Sequence, residues 1–253
     1  MTLIARQLEA LRGRAAWITG GRRIGRTVAA TLAELGVDLV LSYRSSRGEA
    51  EAAAEAARAA GVRAVTVQAD VGSRESVAAA VEAVAREFPR IDILVNMASV
   101  YGETAAEQVT KADWDENVSA HILGTFWPAQ LILPLMPAGG HIINIADATV
   151  IDRPQRRIIP YAATKAAIAG MTRAMALDYG PRGIFVNAIA PGPIIPPEDF
   201  PKDVWRRIRE QYPVRYDMTD AEAVKQFALL VVYLCLTTMT SGHIYPLDQG
   251  RNL

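Results

Sequence analysis

A single cysteine, Cys235, stands among 253 residues, so no disulfide can close within the chain, and the expected setting is a reducing cytoplasm. Cys235 itself lies inside the apolar run ALLVVYLCL and reads as a small buried hydrophobe. Net charge is also missing. The 27 basic and 27 acidic side chains cancel, which argues against a nucleic-acid or membrane-surface partner captured by bulk electrostatics. Long hydrophobic runs are absent too. The longest, Phe227 to Leu236, falls far short of a bilayer span, and the first residues, MTLIARQLEALRGR, lack the apolar core of a signal peptide. No internal repeat or low-complexity tract breaks the chain. What is present is 51% hydrophobic residues and 21% charged ones, the make-up of one globular domain with a sizeable core.

The apolar residues come in short runs separated by helical patterns. Strands are expected at 15–19, 39–43, 62–68, 91–96, 141–145, 184–189 and 243–247. Helices are expected at 48–60, 74–88, 111–135, from Tyr161 onward, and at 221–236. A further helix follows the first strand and ends near Gly36, and Ser73 is placed to cap the helix at 74. Continuously apolar strands alternating with helices of ten to twenty residues indicate a parallel sheet covered on both faces. The expected fold is α/β: a single-domain, doubly wound, Rossmann-type parallel sheet over residues 1–253. Residues 194–217, rich in proline and charge around a short helix at 202–211, read as a substrate lid, and Pro191 is expected to stop the sixth strand.

Two local patterns carry chemistry. Gly20-Gly21-Arg22-Arg23-Ile24-Gly25 joins the first strand to its helix, where unpaired helix N–H groups and the positive dipole end receive a dinucleotide pyrophosphate. The second strand ends Tyr43-Arg44-Ser45-Ser46 without a carboxylate to hold ribose hydroxyls. Guanidinium and hydroxyl groups from Arg22, Arg23, Arg44 and Ser45 are what a 2′-phosphate requires, which selects NADP(H) over NAD(H). Further on, Tyr161-Ala-Ala-Thr-Lys165 puts a phenol and an ammonium on one helix face. A phenol titrates near pH 10, and lowering that by two to three units takes roughly 3–4 kcal/mol, which a nearby cation in a closed cleft supplies.

With these residues in place the chain resembles the short-chain dehydrogenase/reductase family over essentially its whole length. The matching motifs are TGGRRIG (19–25), ADV (69–71), LVNMAS (94–99), HIINIAD (141–147), YAATK (161–165), VNAIAPGPI (186–194) and SGHIYPLDQG (241–250). The resemblance implies that Tyr161 protonates a carbonyl or imine, while Lys165 holds the nicotinamide ribose and lowers the phenol's pKa. It implies that Asp70 and Val71 flank the adenine, and that Asn96, Ala98 and Ser99 line the cofactor floor. Pro191, Gly192 and Ile194 would contact the nicotinamide. Assembly as a homotetramer or homodimer through the long central helices is the family's habit, and no metal is implied.

Five departures stand out. Asp147 occupies the place of the family's catalytic serine, as in the pteridine-reductase branch, which shares the arginine-bearing glycine loop and a serine at the place of Ser99. That branch puts a pterin-stacking aromatic where Tyr101 stands. Substrate-binding residues are therefore expected to be Ser99, Tyr101, Asp147 and Tyr161. His121 replaces the family's helix asparagine, either relaying protons at its near-neutral pKa or serving as a buried histidine with a backbone partner. Met97 replaces a second asparagine. The glycine loop is one residue shorter than usual, and the Asp147–Tyr161 segment one longer. The expected activity is NADPH-dependent reduction of a C=N or C=O bond in a pterin-like heterocycle. Alternatives are a ketone or 3-oxoacyl reductase, with Arg206, Arg207 and Arg209 as a basic patch for an acyl carrier, or a non-catalytic nucleotide binder.

Overall fold

The computed structural model describes residues 2–148, 155–196, 199–214, 216 and 218–251. After a short helix α1 (Leu3–Glu9), the chain alternates β1 (Ala15–Thr19), α2 (Ile24–Glu34), β2 (Asp38–Tyr43), α3 (Arg47–Ala59), β3 (Ala64–Gln68), α4 (Arg74–Glu87) and β4 (Ile93–Asn96). It continues through α5 (Lys111–Asn117), a π-helical turn (Val118–Leu123), α6 (Gly124–Ile132), β5 (His141–Ile145), α7 (Ile159–Tyr179), β6 (Phe185–Pro191), α8 (Lys202–Glu210), α9 (Asp220–Leu236) and β7 (Ile244–Leu247). The seven strands form one sheet in the order β3-β2-β1-β4-β5-β6-β7, and every pairing is parallel. This is the expected doubly wound domain. Between β1 and β4 the strand order reverses, opening a crevice beyond the strands' carboxyl ends.

Both faces of the sheet are buried, so the strands read as unbroken apolar runs. Along β1, Ala16 and Ile18 join the core under α2, α3 and α9, while Ala15 and Trp17 join the core under α4, α6 and α7. Cys235 is fully buried in the first of these, and burial pushes its thiol up to about 12, in keeping with a packing role.

The boundaries differ from expectation for local reasons. α7 starts two residues before Tyr161 because Pro160 sits in its first turn, where no N–H is needed. β6 passes through Pro191, paired with Leu247; the missing N–H costs little because Gly192 donates to Leu247 at 2.9 Å. Ser73 caps α4 as expected, accepting from the Ser76 N–H. The 25 residues from Lys111 to Leu135 are long and apolar enough to cross a bilayer by length and composition, which counting uninterrupted apolar runs missed. Here that helix carries Pro128, buries His121 and packs on α4, α7 and β4.

Candidate active site

Loops from the carboxyl ends of six strands converge on a cavity of about 620 Å³. At its base the glycine loop takes its shape from steric exclusion. Gly20 has φ +72°, and a Cβ there would stand 2.7 Å from the Ala98 Cα and 2.8 Å from its nitrogen. A Cβ on Gly25 would meet the Gly20 carbonyl oxygen at 3.1 Å. Thr19 ties the facing segment down, its hydroxyl accepting from the N–H groups of Met97 and Ala98 at 3.1 and 3.3 Å. In this loop Arg23 takes φ 51° at the entrance to α2, a conformation that L side chains rarely adopt.

Of the expected cofactor residues, Gly20, Arg22, Arg23, Ile24, Tyr43, Arg44, Ser45, Asp70, Val71, Ala98, Ser99, Tyr161, Lys165 and Pro191 all line this cavity. The cradle fits a dinucleotide: backbone approach at Gly20, the N-terminus of α2, and basic residues at the mouth. The three arginines are not equivalent. Arg22 faces Glu49 at 3.5 Å, Arg23 donates to the Pro196 carbonyl on the lid segment, and the exposed Arg44 guanidinium has no protein partner among the described residues.

Three residues expected at the cofactor are not among those lining the cavity. Asn96 does not reach the cavity. Its Nδ2 donates to the Thr125 carbonyl (3.2 Å) and Asn144 Oδ1 (3.0 Å), and Asn144 passes the connection to Thr172, tying β4, β5, α6 and α7 together inside the core. Gly192 packs against Asp248, where a Cβ would lie 3.0 Å from the aspartate's own Cβ. Ile194 is buried with Ala223 and Val224 of α9. Residues that sequence reasoning missed include Met97, Val100, Ser119, Ala120 and Phe227, which also line the cavity. Gly72 and Gly124 were missed as well. A Cβ on Gly72 would collide with the Ser119 hydroxyl at 1.8 Å, and one on Gly124 with Val71 Cγ2 at 2.7 Å, so both glycines let the π-helical turn press against the Asp70–Gly72 loop.

At the inner end, Tyr161 donates its hydroxyl proton to Asp147 Oδ2 at 2.6 Å. Burial, and next the Asp147 charge, push the phenol well above its ordinary value. This reverses the expectation that Lys165 lowers it. The Lys165 Nζ donates to the Ile145 carbonyl at 2.9 Å and lies 5.9 Å from the Tyr161 ring centroid. Burial lowers Lys165 to about 8, opposed by Asp147, so it remains mainly an ammonium at neutral pH. The conflict anticipated for an aspartate at position 147 is therefore real in this geometry.

The Tyr161 ring is flanked edge-on by Tyr101 at 5.1 Å and His121 at 5.4 Å. Tyr101 is exposed and its hydroxyl donates to Glu103 at 2.8 Å; burial of the hydroxyl and that carboxylate raise it to about 12. His121 is fully buried. Burial and then the Lys165 charge lower it to about 3, away from the near-neutral value on which the proton-relay reading rested. The three α8 arginines expected as a basic patch each meet a carboxylate: Arg206 with Glu210, Arg207 with Asp203 and Arg209 with Asp220. The C-terminal turn at Asp248–Arg251 packs on the lid, with Arg251 over the Tyr212 ring. The Asp147–Tyr161 segment, expected to be one residue longer than usual, includes residues 149–154, which lie outside the described residues. Among the described residues no group of three or more His, Cys, Asp or Glu side chains is placed to hold a metal ion.

An all-parallel sheet with a glycine-bounded crevice and a Tyr–Lys pair at its inner end defines a dinucleotide-binding oxidoreductase. A family model described as enoyl-(acyl carrier protein) reductase matches residues 20–252, and the chain belongs to the short-chain dehydrogenase/reductase family. It is 34% identical over 186 residues to a 3-oxoacyl-[acyl-carrier-protein] reductase of Staphylococcus aureus, covering 72% of this chain and 75% of that one. It is 35% identical over 189 residues to a gluconate 5-dehydrogenase of Gluconobacter oxydans, covering 73% of each. Among solved structures, a short-chain dehydrogenase of Burkholderia cenocepacia in complex with NADP superposes with a TM-score of 0.87 at 30% identity, covering 96% of this chain and 99% of that one.

Proposed function

We propose that this protein is an NADPH-dependent reductase of a C=N or C=O bond, with Tyr161 as proton donor and a pterin-like nitrogen heterocycle as the favoured substrate. The observation that carries the reading is the 2.6 Å hydrogen bond from Tyr161 to Asp147 inside the cavity. Gly20, Arg22, Arg44, Ser45 and Lys165 would hold NADPH, which would supply the hydride. The choice of NADPH is supported by the lone Arg44 guanidinium and the absence of a carboxylate at the end of β2, and by the NADP bound to the Burkholderia relative.

Asp147 accepts and does not donate in this arrangement. A substrate whose ring N–H or amino group replaces the phenol as donor to Asp147 frees the Tyr161 O–H to face the atom that becomes negative as its neighbouring carbon is reduced. The high phenol pKa keeps the proton on Tyr161 until then. The Lys165 ammonium stabilises the phenolate left behind. A plain ketone offers no N–H to release the phenol, so a serine would serve it better. Assembly as a homodimer or homotetramer belongs to the same proposal.

A second reading, reduction of a 3-oxoacyl thioester, is favoured by the similarity to the Staphylococcus reductase. Against it stand the α8 arginines, each already facing a carboxylate. NADPH oxidation with dihydrobiopterin or acetoacetyl-CoA separates the two. Dihydrobiopterin is expected to be turned over faster by the wild type, and Tyr161→Phe to lower turnover about 10³-fold with NADPH binding intact. Asp147→Ser is expected to move the ratio of kcat/KM values about tenfold toward the ketone; an unmoved ratio rejects the role given to Asp147.

A further inference from the structure

His121 lies in the π-helical turn between α5 and α6, a local irregularity of the kind that re-aims side chains at functional sites. Its tautomer follows from its neighbours. A backbone N–H can only donate, and that of Val100 points at His121 Nε2 at 3.3 Å, so Nε2 carries no proton. The Ser99 hydroxyl stands 2.9 Å from the same nitrogen and 3.3 Å from the Val100 carbonyl; with Nε2 bare, the nearer nitrogen takes its one proton. On the other side Nδ1 lies 2.8 Å from Thr164 Oγ1. That hydroxyl spends its proton on the Pro160 carbonyl at 2.8 Å, so it accepts from the Nδ1 N–H. One ring thus links the first turns of the catalytic helix α7 to the loop after β4, with its edge against the Tyr161 ring.

We propose that His121 is a positioning residue for substrate: by accepting from Val100 and Ser99 it fixes the wall Ser99–Tyr101 against Tyr161, and no proton passes through its ring. Ser99 and Val100 line the cavity, and Tyr101 completes the edge-on contact with the catalytic phenol. The inference rests on the reductase reading for its kinetic part alone; the tautomer is a property of the protein without substrate. The geometry also says which replacements can work. A glutamine places its carbonyl oxygen about where Nε2 stands and can accept from Val100. An asparagine, the usual family residue, reaches only as far as Nδ1 and leaves both donors without an acceptor.

The test compares His121→Asn with His121→Gln, using NADPH with dihydrobiopterin and with acetoacetyl-CoA, and thermal melts to confirm folding. The asparagine variant is expected to raise KM for whichever substrate is turned over about tenfold while kcat changes by less than about threefold. The glutamine variant is expected to recover most of that loss. Equal KM values in the two variants overturn the proposal. So does a loss of kcat with a displaced pH profile and unchanged KM, which marks a proton relay. Nitrogen NMR of the ring labelled in the wild type supplies a readout independent of turnover and of the variants' folding. A protonated Nδ1 and bare Nε2 from about pH 5 to 9 support the proposal, and a protonated Nε2 rejects it. If the wild type reduces neither probe, the reductase reading fails while the NMR result still decides the role of His121.

Discussion

The cofactor cradle and the 194–217 segment expected to act as a lid are built by opposite means. Around the glycine loop the walls are backbone in contact with backbone, and any added Cβ at Gly20 collides with Ala98. In the 194–217 segment, which does not line the cavity, exposed side chains are joined by surface ion pairs on α8 and one arginine from the glycine loop reaches Pro196. A shape set by excluded volume tolerates few substitutions, whereas a shape set by solvated pairs tolerates many. Related enzymes can therefore share a cofactor and differ in substrate, because the two regions answer to different physics. His121 holds the β4 loop to the catalytic helix.

That contrast can be sharpened by measurement. The largest expected effect is on stability in acid. Folding holds His121 at about 3 and His141 at about 4, both below the ordinary 6.5 and both chiefly through burial. Between those values the unfolded chain binds protons that the folded chain refuses. Stability is therefore unaffected above about pH 6.5 and falls as the pH drops toward the folded values, by on the order of 3 kcal/mol for each histidine at about pH 4. Chemical denaturation at several pH values is expected to show this limb, and His121→Gln to remove about half of its slope.

Next comes Gly20→Ala, which is expected to weaken NADPH binding at least about hundredfold, or about 2.7 kcal/mol, in a fluorescence titration. A change below about threefold would show that the glycine loop yields as readily as the lid. Arg44→Ala is expected to weaken NADPH by about tenfold to thirtyfold while leaving NADH nearly unchanged, the loss of a charge-assisted contact to a phosphate. Equal losses for both cofactors would move 2′-phosphate recognition elsewhere. The smallest effect is expected for Arg207→Ala on α8. Breaking the exposed pair with Asp203 is expected to cost less than about 0.5 kcal/mol in a denaturant melt, and a larger cost would mean the lid is held as firmly as the cradle.

Much of the site was legible in the chain because its chemistry is local. A glycine turn between a strand and a helix, the Tyr161/Lys165 spacing, and the lack of a carboxylate after Tyr43 need no distant partner to be read. What escaped depends on residues far apart in sequence. Asn96 looks like a cofactor ligand until Asn144, 48 positions on, takes its amide. The Tyr161 phenol is held neutral by burial and next by Asp147, 14 positions away. Gly72 and Gly124 gain their meaning from Ser119 and Val71 pressing on them.

The sequence by itself determined the alternation of strand and helix, the sheet buried on both faces and the position of the dinucleotide crevice, since periodicity and turn chemistry act over a few residues. Only the tertiary structure decided what stands at each nitrogen of His121, that the Tyr161 phenol faces a carboxylate, and that Asn96 is turned inward. Those outcomes depend on desolvation and on distances of about 3 Å between segments remote in sequence, and no local pattern encodes either.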